Sequence, residues 1–504
     1  MGKYYLGIDV GTFETKGVLI DDCFQVVTTA SSKHSMDNPR PNFFEQDAEE
    51  IWWKDFCIVS RALIEKSGIQ PEEIAAVGSD VLGCDCLPVD ENCKPLRKAI
   101  LYGIDARASE EIKYLSEYFG EERVKELFGH PLCSDDIAPK ILWIKNHEPE
   151  IYKKTYKFLT GSSYIAAKLT GNYVIDQFLA KSSFSPMYDT DGHIREEECS
   201  IICRPDQMAR AMYVHEIAGT VTAKAALETG LKEGTPVICG TGDSTSEAIS
   251  VGITVPGKLM FQFGSSLFFY YCADRLIYDH RVYGNHFTVP GTFSISGGTN
   301  TVGTLTRWMR DTLYFDLLEE QKETGVEPYE LMMERIRNIP AGSDGLVILP
   351  YFAGERCPIN DANAKGMFFG LTLEHTRDHI YRAALEGIAY CIHQNIQVLE
   401  GLGLQVNELI AVGGGTKNPV WMQIVADVIQ KPVCIPKISI GASYGEAMMA
   451  ALGIGDLKDF QDLSEKIEPD QRILPNPENA AVYNKLYKIY DELYQHTKDL
   501  MHQL

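Results

Sequence analysis

Two segments in separate halves of the chain repeat one short pattern. Residues 4–20 read YYLGIDVGTFETKGVLI, an apolar strand, a Gly-Thr tip and a second apolar strand. Residues 258–271 read KLMFQFGSSLFFYY and repeat this order with a Gly-Ser tip. A tip of glycine and a hydroxyl residue leaves backbone N–H groups and one O–H free to surround a phosphate group. One such hairpin is commonly an ordinary turn, but the pair predicts two related lobes with a polyphosphate bound between them.

The length and the order of the predicted elements favour a two-domain α/β protein. A chain of 504 residues is several times the size of a typical domain, so two large domains are expected. Apolar strands alternate with helices in both halves, which predicts two sheets with a cleft between them. We predict strands at 4–9, 16–20, 23–30, 74–79 and 236–241, and helices at 47–67, at 376–399 and from Asn418 onward. The strand pattern recurs near Lys258, so we divide the chain into lobes of residues 1–250 and 251–504.

The charge balance and the apolar segments argue against some classes of partner. The chain carries 47 Lys and Arg against 70 Asp and Glu, a net charge of −23, whereas binding to nucleic acids and anionic membranes requires basic surfaces. No stretch approaches the roughly 18 apolar residues of a membrane span, and Lys3 and Asp9 interrupt the apolar run that a secretion signal would need. The 13 scattered cysteines suit reduced thiols. We therefore expect a cytoplasmic protein without nucleic-acid or membrane partners.

Asp243 is the strongest candidate for a catalytic group. It follows the apolar strand PVICGT at 236–241, is preceded by Gly240 and Gly242, and opens the helical stretch SEAISVG. A carboxylate at this point could accept the proton of a hydroxyl that attacks a terminal phosphate, as in kinases. Aspartate is also a common helix N-cap, and the residues alone leave both roles open.

Residues near the two tips could bind phosphate or metal. Lys16 begins the returning strand of the first hairpin and could reach a phosphate, although a lone lysine is more often solvated. Asp9 stands at the carboxyl end of the first strand and, like Asp243, suits a water-mediated Mg²⁺ contact. The run Gly413–Gly415 follows the apolar segment LIAV and could lie flat against a large ligand, or form a flexible turn. The sequence has no Walker-type loop, so any nucleotide must be bound by another geometry.

Three further segments resemble those of a known family. The stretch 366–386, GMFFGLTLEHTRDHIYRAALE, resembles the C-terminal signature of the FGGY carbohydrate kinases. The preceding YFAGERCPINDANA is similar to the family's G-E-R-x-P-x-x-D segment. IAPKILWIKNHEPE is a looser match, with Lys140 and Trp143 in the family's lysine and tryptophan positions and Ile137 in place of a hydroxyl residue or proline. The motifs follow one another in family order along essentially the whole chain.

The resemblance implies a fold, a reaction and a set of site residues. The fold implied is two ribonuclease-H-like lobes of the actin, Hsp70 and hexokinase type around a central cleft. The reaction implied is phosphorylation of a sugar or polyol by ATP with Mg²⁺, with Asp243 as the catalytic base. The implied ATP-binding residues are Gly11, Thr12 and Lys16 in a first phosphate loop, Gly264 and Ser265 in a second, and Gly414, Gly415 and Asn418 at the adenosine site, with Gly297 and Gly298 as additions.

Two aromatic residues depart from the family pattern. Phe13 replaces a residue that is commonly Ser or Thr in the first phosphate loop, which predicts that one phosphate hydrogen bond is supplied elsewhere. Tyr102 replaces the tryptophan that is often found in the family's I-L-W segment.

The sugar-binding segment departs further. Xylulokinases carry Q-M-H-G after the strand equivalent to 74–79, and glycerol kinases carry Q-R-E. This chain has Leu82, Gly83 and Cys84 at the aligned positions. The overall pattern is most similar to the xylulokinase-like branch, but the departure leaves the substrate open.

The pocket composition favours a neutral substrate. The predicted substrate-binding residues are Asp80, Gly83, Cys84, Asp105, Asp135, Asp243 and Ser244, with Asp85 as a further acid. Carboxylates accept hydrogen bonds from hydroxyls, whereas a sugar acid requires a positive partner, and Arg107 and Lys140 are the cations nearby in sequence. We therefore expect a neutral ketose such as xylulose, or a related pentulose or polyol. The alternatives are a tetritol, a tetrulose, glycerol, a sugar acid such as gluconate, a non-kinase ATPase of the same fold and a sugar-binding protein that has lost catalysis. Helical faces at the C-terminus make a homodimer plausible.

Overall fold

Two mixed β-sheets with one strand order in common form the frame of the molecule, which the computed structural model describes over residues 2–504. The strands are β1 (Tyr4–Val10), β2 (Glu14–Asp21), β3 (Val26–Lys33), β4 (Asp37–Arg40), β5 (Phe43–Gln46), β6 (Ile74–Val81), β7 (Leu87–Val89), β8 (Ala99–Ile100), β9 (Lys157–Leu159), β10 (Val174–Asp176), β11 (Arg210–Met212), β12 (Ile217–Thr220), β13 (Pro236–Ile238), β14 (Lys258–Phe263), β15 (Leu267–Ala273), β16 (Tyr283–His286), β17 (Phe293–Thr299), β18 (Val347–Leu349), β19 (Met367–Phe369), β20 (Glu408–Gly413), β21 (Val433–Pro436) and β22 (Pro469–Ile473).

Helices cover both sheets and form most of the middle of the chain. They are α1 (Lys54–Ser67), α2 (Ser109–Phe128), α3 (Ile137–His147), α4 (Pro149–Lys154), α5 (Gly161–Thr170), α6 (Gln177–Lys181), α7 (Glu196–Ile202), α8 (Ala223–Thr229), α9 (Asp243–Ser250), α10 (Gly303–Leu313), α11 (Phe315–Thr324), α12 (Pro328–Ile336), α13 (Arg377–Gly401), α14 (Pro419–Ile429), α15 (Ala442–Gly453), α16 (Phe460–Glu465) and α17 (Ala480–Met501). None of the helices in the described chain is long and apolar enough to cross a membrane.

The two large sheets share one topology. The first has the order β12-β13-β6-β1-β2-β3, and the second has the order β16-β17-β15-β14-β20-β21-β22. In the first, β1, β2 and β3 pair antiparallel, while β6 and β13 add in parallel on the other side of β1. In the second, β14, β15 and β17 pair antiparallel, while β20 and β21 add in parallel beside β14. The prediction of two related α/β lobes from the two hairpins is confirmed.

The third predicted strand was displaced by a turn. We predicted a strand at 23–30, whereas β3 spans Val26–Lys33. The side chain of Asp21 accepts from the backbone N–H groups of Cys23 and Gln25, at 2.9 and 2.8 Å, and Phe24 has a φ of 60°. These bonds fold residues 21–25 into a turn, which delays the strand despite their apolar content.

The predicted helix starts are largely confirmed. Asp47 accepts from the N–H groups of Glu49 and Glu50, but the first turns after it, Ala48–Trp53, are π-helical before α1 begins. Asn418 caps α14 through Trp421 N at 3.0 Å. The tyrosine stripe of α17, formed by Tyr483, Tyr490 and Tyr494, is buried in the core of the second lobe.

Helix α15 belongs to the second half of the sequence but packs on the first sheet. A Cβ atom at Gly7 of β1 would stand 1.9 Å from the carbonyl oxygen of Ser443 and 2.6 Å from Ala447 N, so only glycine permits this approach. On its other side α15 meets α9, where a Cβ at Gly445 would stand 2.1 Å from the carbonyl oxygen of Ser246. The two halves of the chain therefore meet through the α9–α15 pair.

Candidate active site

The first hairpin tip exposes two consecutive backbone amides. The carbonyl of Gly11 accepts from His34 Nε2 at 2.9 Å, and the carbonyl of Thr12 accepts from Gln46 Nε2 at 2.8 Å. In a trans peptide the N–H points opposite to the C=O, so the amides of Thr12 and Phe13 face away from these partners. Neither amide has an acceptor elsewhere in the described chain. The tip therefore offers two donors for a phosphate group.

The second tip is built in the same way. The carbonyls of Gly264 and Ser265 accept, each at 3.0 Å, from the N–H groups of Gly303 and Thr304 at the start of α10. The amides of Ser265 and Ser266 consequently point away from α10, and neither bonds to another of the described residues. A Cβ at Gly303 would stand 2.5 Å from the Gly264 carbonyl oxygen, so glycine is required there. Each lobe thus contributes one tip with two free amides.

The glycine run lies beside the second tip, because β20 pairs in parallel with β14. Gly413 has a φ of 90°, and a Cβ there would collide with the β14 backbone at 2.6 Å. Gly414 borders open space, with no atom within 4 Å of its Cβ position, whereas Gly415 packs against the ring of Trp421. Asn418 Oδ1 caps α14 by accepting from Trp421 N. The open face at Gly414 can receive a planar group next to the second phosphate loop.

Gly297 and Gly298 are buried inside β17. A Cβ at Gly297 would meet the ring of Phe269 at 2.6 Å, and one at Gly298 would meet the carbonyl oxygen of Leu267 at 2.3 Å. Close packing against β15 accounts for both glycines, and their assignment to the nucleotide site stays a prediction.

Asp9 and Asp80 stand side by side at the carboxyl ends of β1 and β6, where they are register partners. Burial raises the pKa of Asp9, and burial together with the charge of Asp9 raises the pKa of Asp80 well above its ordinary value. Asp9 Oδ1 and both oxygens of Asp80 have no hydrogen-bond partner among the described residues. Free carboxylate oxygens suit Mg²⁺, and the fully buried Asp80 lies beside Asp9, the predicted metal residue.

Asp243 is the first residue of α9 and follows β13, the next strand beyond β6. The N-cap position belongs to Gly242, and no side chain caps the helix. Within the described chain, Asp243 Oδ1 accepts from the adjacent Ser244 N–H at 2.5 Å and makes no other hydrogen bond. Burial, followed by the charge of Asp9, raises the pKa of Asp243 well above its ordinary value. The carboxyl group is not used as an N-cap and is available to accept a proton.

Part of the predicted sugar-binding segment borders Asp243. The Cβ position of Gly83, which has a φ of 99°, lies 3.4 Å from Gly242 Cα. Cys84 follows and is half-buried, and burial together with the nearby Asp135 raises the pKa of its thiol. Asp135 and Ser244 are exposed. Gly83, Cys84 and Asp135 therefore lie in one region with the candidate base.

Asp105 is occupied within the protein. Its carboxylate accepts from Arg107 Nη2 and from Phe44 N, both at 2.7 Å, and from Arg107 Nε at 2.9 Å. Arg107 also donates to Glu45 at 2.8 Å. Both members of this buried pair are less available to a substrate than the sequence predicted, because neighbouring residues already satisfy them.

Lys140 is also engaged. It is 1% exposed and donates to the carbonyls of Cys84 and Leu101, at 2.9 and 2.7 Å. Asp85 is buried nearby, and neither of its oxygens has a hydrogen-bond partner in the described part of the chain. Burial raises the pKa of Asp85 to about 7, while Lys140 opposes that rise. Lys140 therefore holds the loop around Cys84 in place.

Both aromatic departures lie near the first tip. The hydroxyl of Tyr102 is 3.2 Å from Thr12 Oγ1, so Tyr102 joins the loop after β8 to the first phosphate loop. The side chain of Phe13 is 61% exposed. Lys16 is exposed and is the register partner of Asp9 across the β1–β2 pair.

One acidic residue of this region escaped the sequence analysis. Glu446 of α15 is fully buried, and its Oε1 accepts from Ser246 Oγ at 2.7 Å. Burial raises the pKa of Glu446 to about 8, and Glu446 in turn contributes to the raised pKa of Asp80. Glu446 is the one charged residue in the apolar segment ASYGEAMMAALG, a signal that could have identified it.

Family models match most of the chain. The model for the N-terminal domain of the FGGY family of carbohydrate kinases matches residues 4–250, and the model for its C-terminal domain matches residues 259–454. The chain belongs to the FGGY family of carbohydrate kinases. The predicted family is thereby confirmed, as is the prediction of a xylulokinase-like carbohydrate kinase.

Relatives of this FGGY kinase match it from end to end. It is 28% identical to the xylulose kinase of Bacillus subtilis (strain 168), over 99% of this chain and 98% of the relative. It is 29% identical to a gluconokinase of the same strain, over 98% of this chain and 96% of the relative. The crystal structure of xylulose kinase from Rhodospirillum rubrum superposes with a TM-score of 0.87 at 29% identity, covering 99% of this chain and 100% of the other. The predicted two-lobed fold of the actin and hexokinase type is confirmed.

Proposed function

We propose that this kinase transfers the terminal phosphoryl group of ATP to a hydroxyl of a neutral ketose, such as xylulose or a related pentulose or polyol. Asp243 acts as the general base that accepts the proton of the attacking hydroxyl. The observation that carries the proposal is the available carboxyl group of Asp243, which does not cap α9 and accepts only from the adjacent Ser244 N–H in the described chain. A base of this kind must reach the hydroxyl without a competing partner.

The two tips supply the phosphate-binding groups. Thr12 and Phe13 offer free amides in the first lobe, and Ser265 and Ser266 offer them in the second. Donors fixed in advance lower the cost of binding and stabilise charge that develops on phosphoryl oxygens. The Phe13 departure removes a hydroxyl but leaves the amide, so the backbone still provides a donor at this position. Gly414 and Gly415 border the space for the adenosine moiety.

The metal site fits Mg²⁺. Asp9 and Asp243 would hold the ion, and the unpaired oxygens of the neighbouring Asp80 are of the kind that Mg²⁺ prefers. The ion would supply positive charge at the phosphate oxygens. Lys16 adds a second positive charge at the mouth of the first loop.

The cations of the pocket favour a neutral substrate. Arg107 is paired with Asp105 and Glu45, and Lys140 is buried against two backbone carbonyls. A sugar acid needs a charged or strongly polar donor for its carboxylate, and these two residues are already occupied. The exposed Asp135 instead offers an acceptor for hydroxyl groups.

A coupled assay of ADP formation in the presence of ketoses, polyols, glycerol or sugar acids tests the proposal. We expect turnover with a pentulose and none with gluconate. Turnover confined to gluconate or another sugar acid would overturn the neutral substrate while leaving the kinase chemistry intact. ATP hydrolysis unaffected by any sugar would favour a non-kinase ATPase. Detectable binding of ATP and sugar without turnover would favour a sugar-binding protein that has lost catalysis.

The cellular setting is also a proposal. A cytoplasmic enzyme agrees with the 13 cysteines, all of which are free thiols in the structure. A homodimer is less favoured by α17 than the sequence suggested, because the tyrosine stripe of this helix packs inside its own lobe.

A further inference from the structure

His34 connects the first phosphate loop to the body of the first lobe. The residue follows β3, and its Nε2 lies 2.9 Å from the carbonyl oxygen of Gly11. Its Nδ1 lies 2.8 Å from Asp55 Oδ2. The backbone N–H of His34 donates to the carbonyl of Phe13 at 3.0 Å. One residue thus binds the loop at two carbonyls.

The two ring nitrogens of His34 face opposite sides of the pair. A carbonyl oxygen has no proton to give, so the Gly11 carbonyl accepts from the Nε2 N–H of His34. The Asp55 carboxyl group lies against Nδ1 on the other side of the ring and fixes its orientation. The side chains of His34 and Asp55 are only 6% and 9% exposed, so this pair is shielded from water beneath the loop.

Asp55 anchors the pair to three elements. It lies in α1 and accepts from Ser32 Oγ of β3 at 2.9 Å, from Thr15 Oγ1 of β2 at 3.4 Å, and from His34. These bonds fix the carboxylate, which in turn fixes the imidazole ring.

We infer that His34, oriented by Asp55, is a positioning residue for phosphate binding. It turns the Gly11 carbonyl away from the cleft and so directs the Thr12 amide into it. A carbonyl released from His34 could rotate towards the phosphate, where its partial negative charge would oppose binding. The inference rests on the proposed function, because it takes the first tip to be a phosphate site.

The test compares nucleotide binding in three variants of the full chain by isothermal titration calorimetry with MgATP and, separately, adenosine. His34→Leu removes both ring bonds. His34→Gln keeps an amide donor for the Gly11 carbonyl but cannot also donate to Asp55 through a second atom. Ser67→Ala is the matched control, because it removes a hydrogen bond at the opposite end of α1, from Ser67 Oγ to the Ile64 carbonyl at 3.0 Å, outside the Asp55–His34 network.

We expect His34→Leu to weaken MgATP binding about tenfold, the effect of one lost hydrogen bond. Adenosine affinity and the KM for sugar should stay unchanged, since neither depends on the first loop's amides. His34→Gln should recover part of the loss, and Ser67→Ala should bind MgATP as the unmodified protein does. If His34→Leu does not fold, His34→Gln alone should still weaken MgATP binding severalfold relative to Ser67→Ala.

Three results would overturn the inference in different ways. Equal MgATP affinity in all variants would show that His34 does not position the loop, while the kinase proposal stands if sugar turnover persists. Equal losses for adenosine and MgATP would mean that the variant disturbs the protein generally. An unmodified protein that binds no MgATP would refute both the proposed function and the inference.

Discussion

Replacing Asp243 with asparagine separates its proposed catalytic role from a structural one. Asparagine keeps the size of the side chain and an oxygen that can accept from Ser244 N, so the one hydrogen bond of Asp243 survives. The N-cap is Gly242, so the substitution removes no cap. What is lost is the proton-accepting charge.

The expected loss of activity follows from that chemistry. Loss of a general base typically lowers the rate by about 10²–10⁴-fold. At 1.36 kcal/mol per tenfold, this corresponds to about 2.7–5.4 kcal/mol in the barrier. A coupled assay at saturating sugar, ATP and Mg²⁺ measures kcat. Thermal unfolding and calorimetry with metal-free ATP measure stability and nucleotide affinity, which should change little because Asp243 would contact the nucleotide only through the ion.

Asp176→Asn is the matched control. Asp176 is also a buried carboxyl, and burial raises its pKa to about 7, but it accepts from Thr241 Oγ1 at 2.8 Å and from Leu179 N at 3.3 Å. Its neutralisation should leave kcat within tenfold of the unmodified enzyme. A folded Asp243→Asn enzyme with near-normal kcat would refute the assignment and move the search for the base to Asp9. Equal losses in both variants would indicate a general effect of charge.

Other predictions address pH, closure and packing. The raised pKa of Asp243 means that the base stays protonated to a higher pH than usual, so kcat/KM should fall with decreasing pH along a limb above the ordinary aspartate range near about 4; a limb at or below that range would contradict this. Binding of ATP and sugar together should close the cleft and lower the radius of gyration in small-angle scattering, and an unchanged radius would argue against closure. Gly7→Ala places a methyl group 1.9 Å from the Ser443 carbonyl oxygen, and overpacking of this kind costs about 1–3 kcal/mol, so Tm should drop. Arg382→Met leaves the buried Glu386 without the cation that lies 3.0 Å away, which typically costs about 3–5 kcal/mol in urea unfolding, and an unchanged midpoint would refute the role of the pair.

Local patterns predicted the elements that depend on local physics. The two hairpins, the cap at Asn418 and the position of Asp243 after its strand could all be read from neighbouring residues. The start of β3 could not, because the side chain of Asp21 forms bonds that fold apolar residues into a turn.

Contacts that depend on the three-dimensional fold were harder to predict. Asp80 and Asp135 look alike in the sequence, but the parallel register places Asp80 beside Asp9 and leaves Asp135 exposed. The ion pair between Asp105 and Arg107 depends on the conformation of the loop after β8. A separation of two residues in the sequence does not determine that conformation. Gly303 of α10 donates to the Gly264 carbonyl of the second tip, and no pattern in the sequence around Gly303 predicts this contact.

The packing of α15 on β1 has a consequence for folding during synthesis. During synthesis, the first sheet emerges long before the residues that cover one of its faces. The glycine surface at Gly7 and Gly78 lacks its cover until Ala442–Gly453 leaves the ribosome, because Ser443, Glu446 and Ala447 of this helix are the residues that pack on it. Folding of the first lobe is therefore completed from the far end of the polypeptide. A ribosome-stalled or truncated chain that ends before α15 should hold this lobe in an open, chaperone-dependent state.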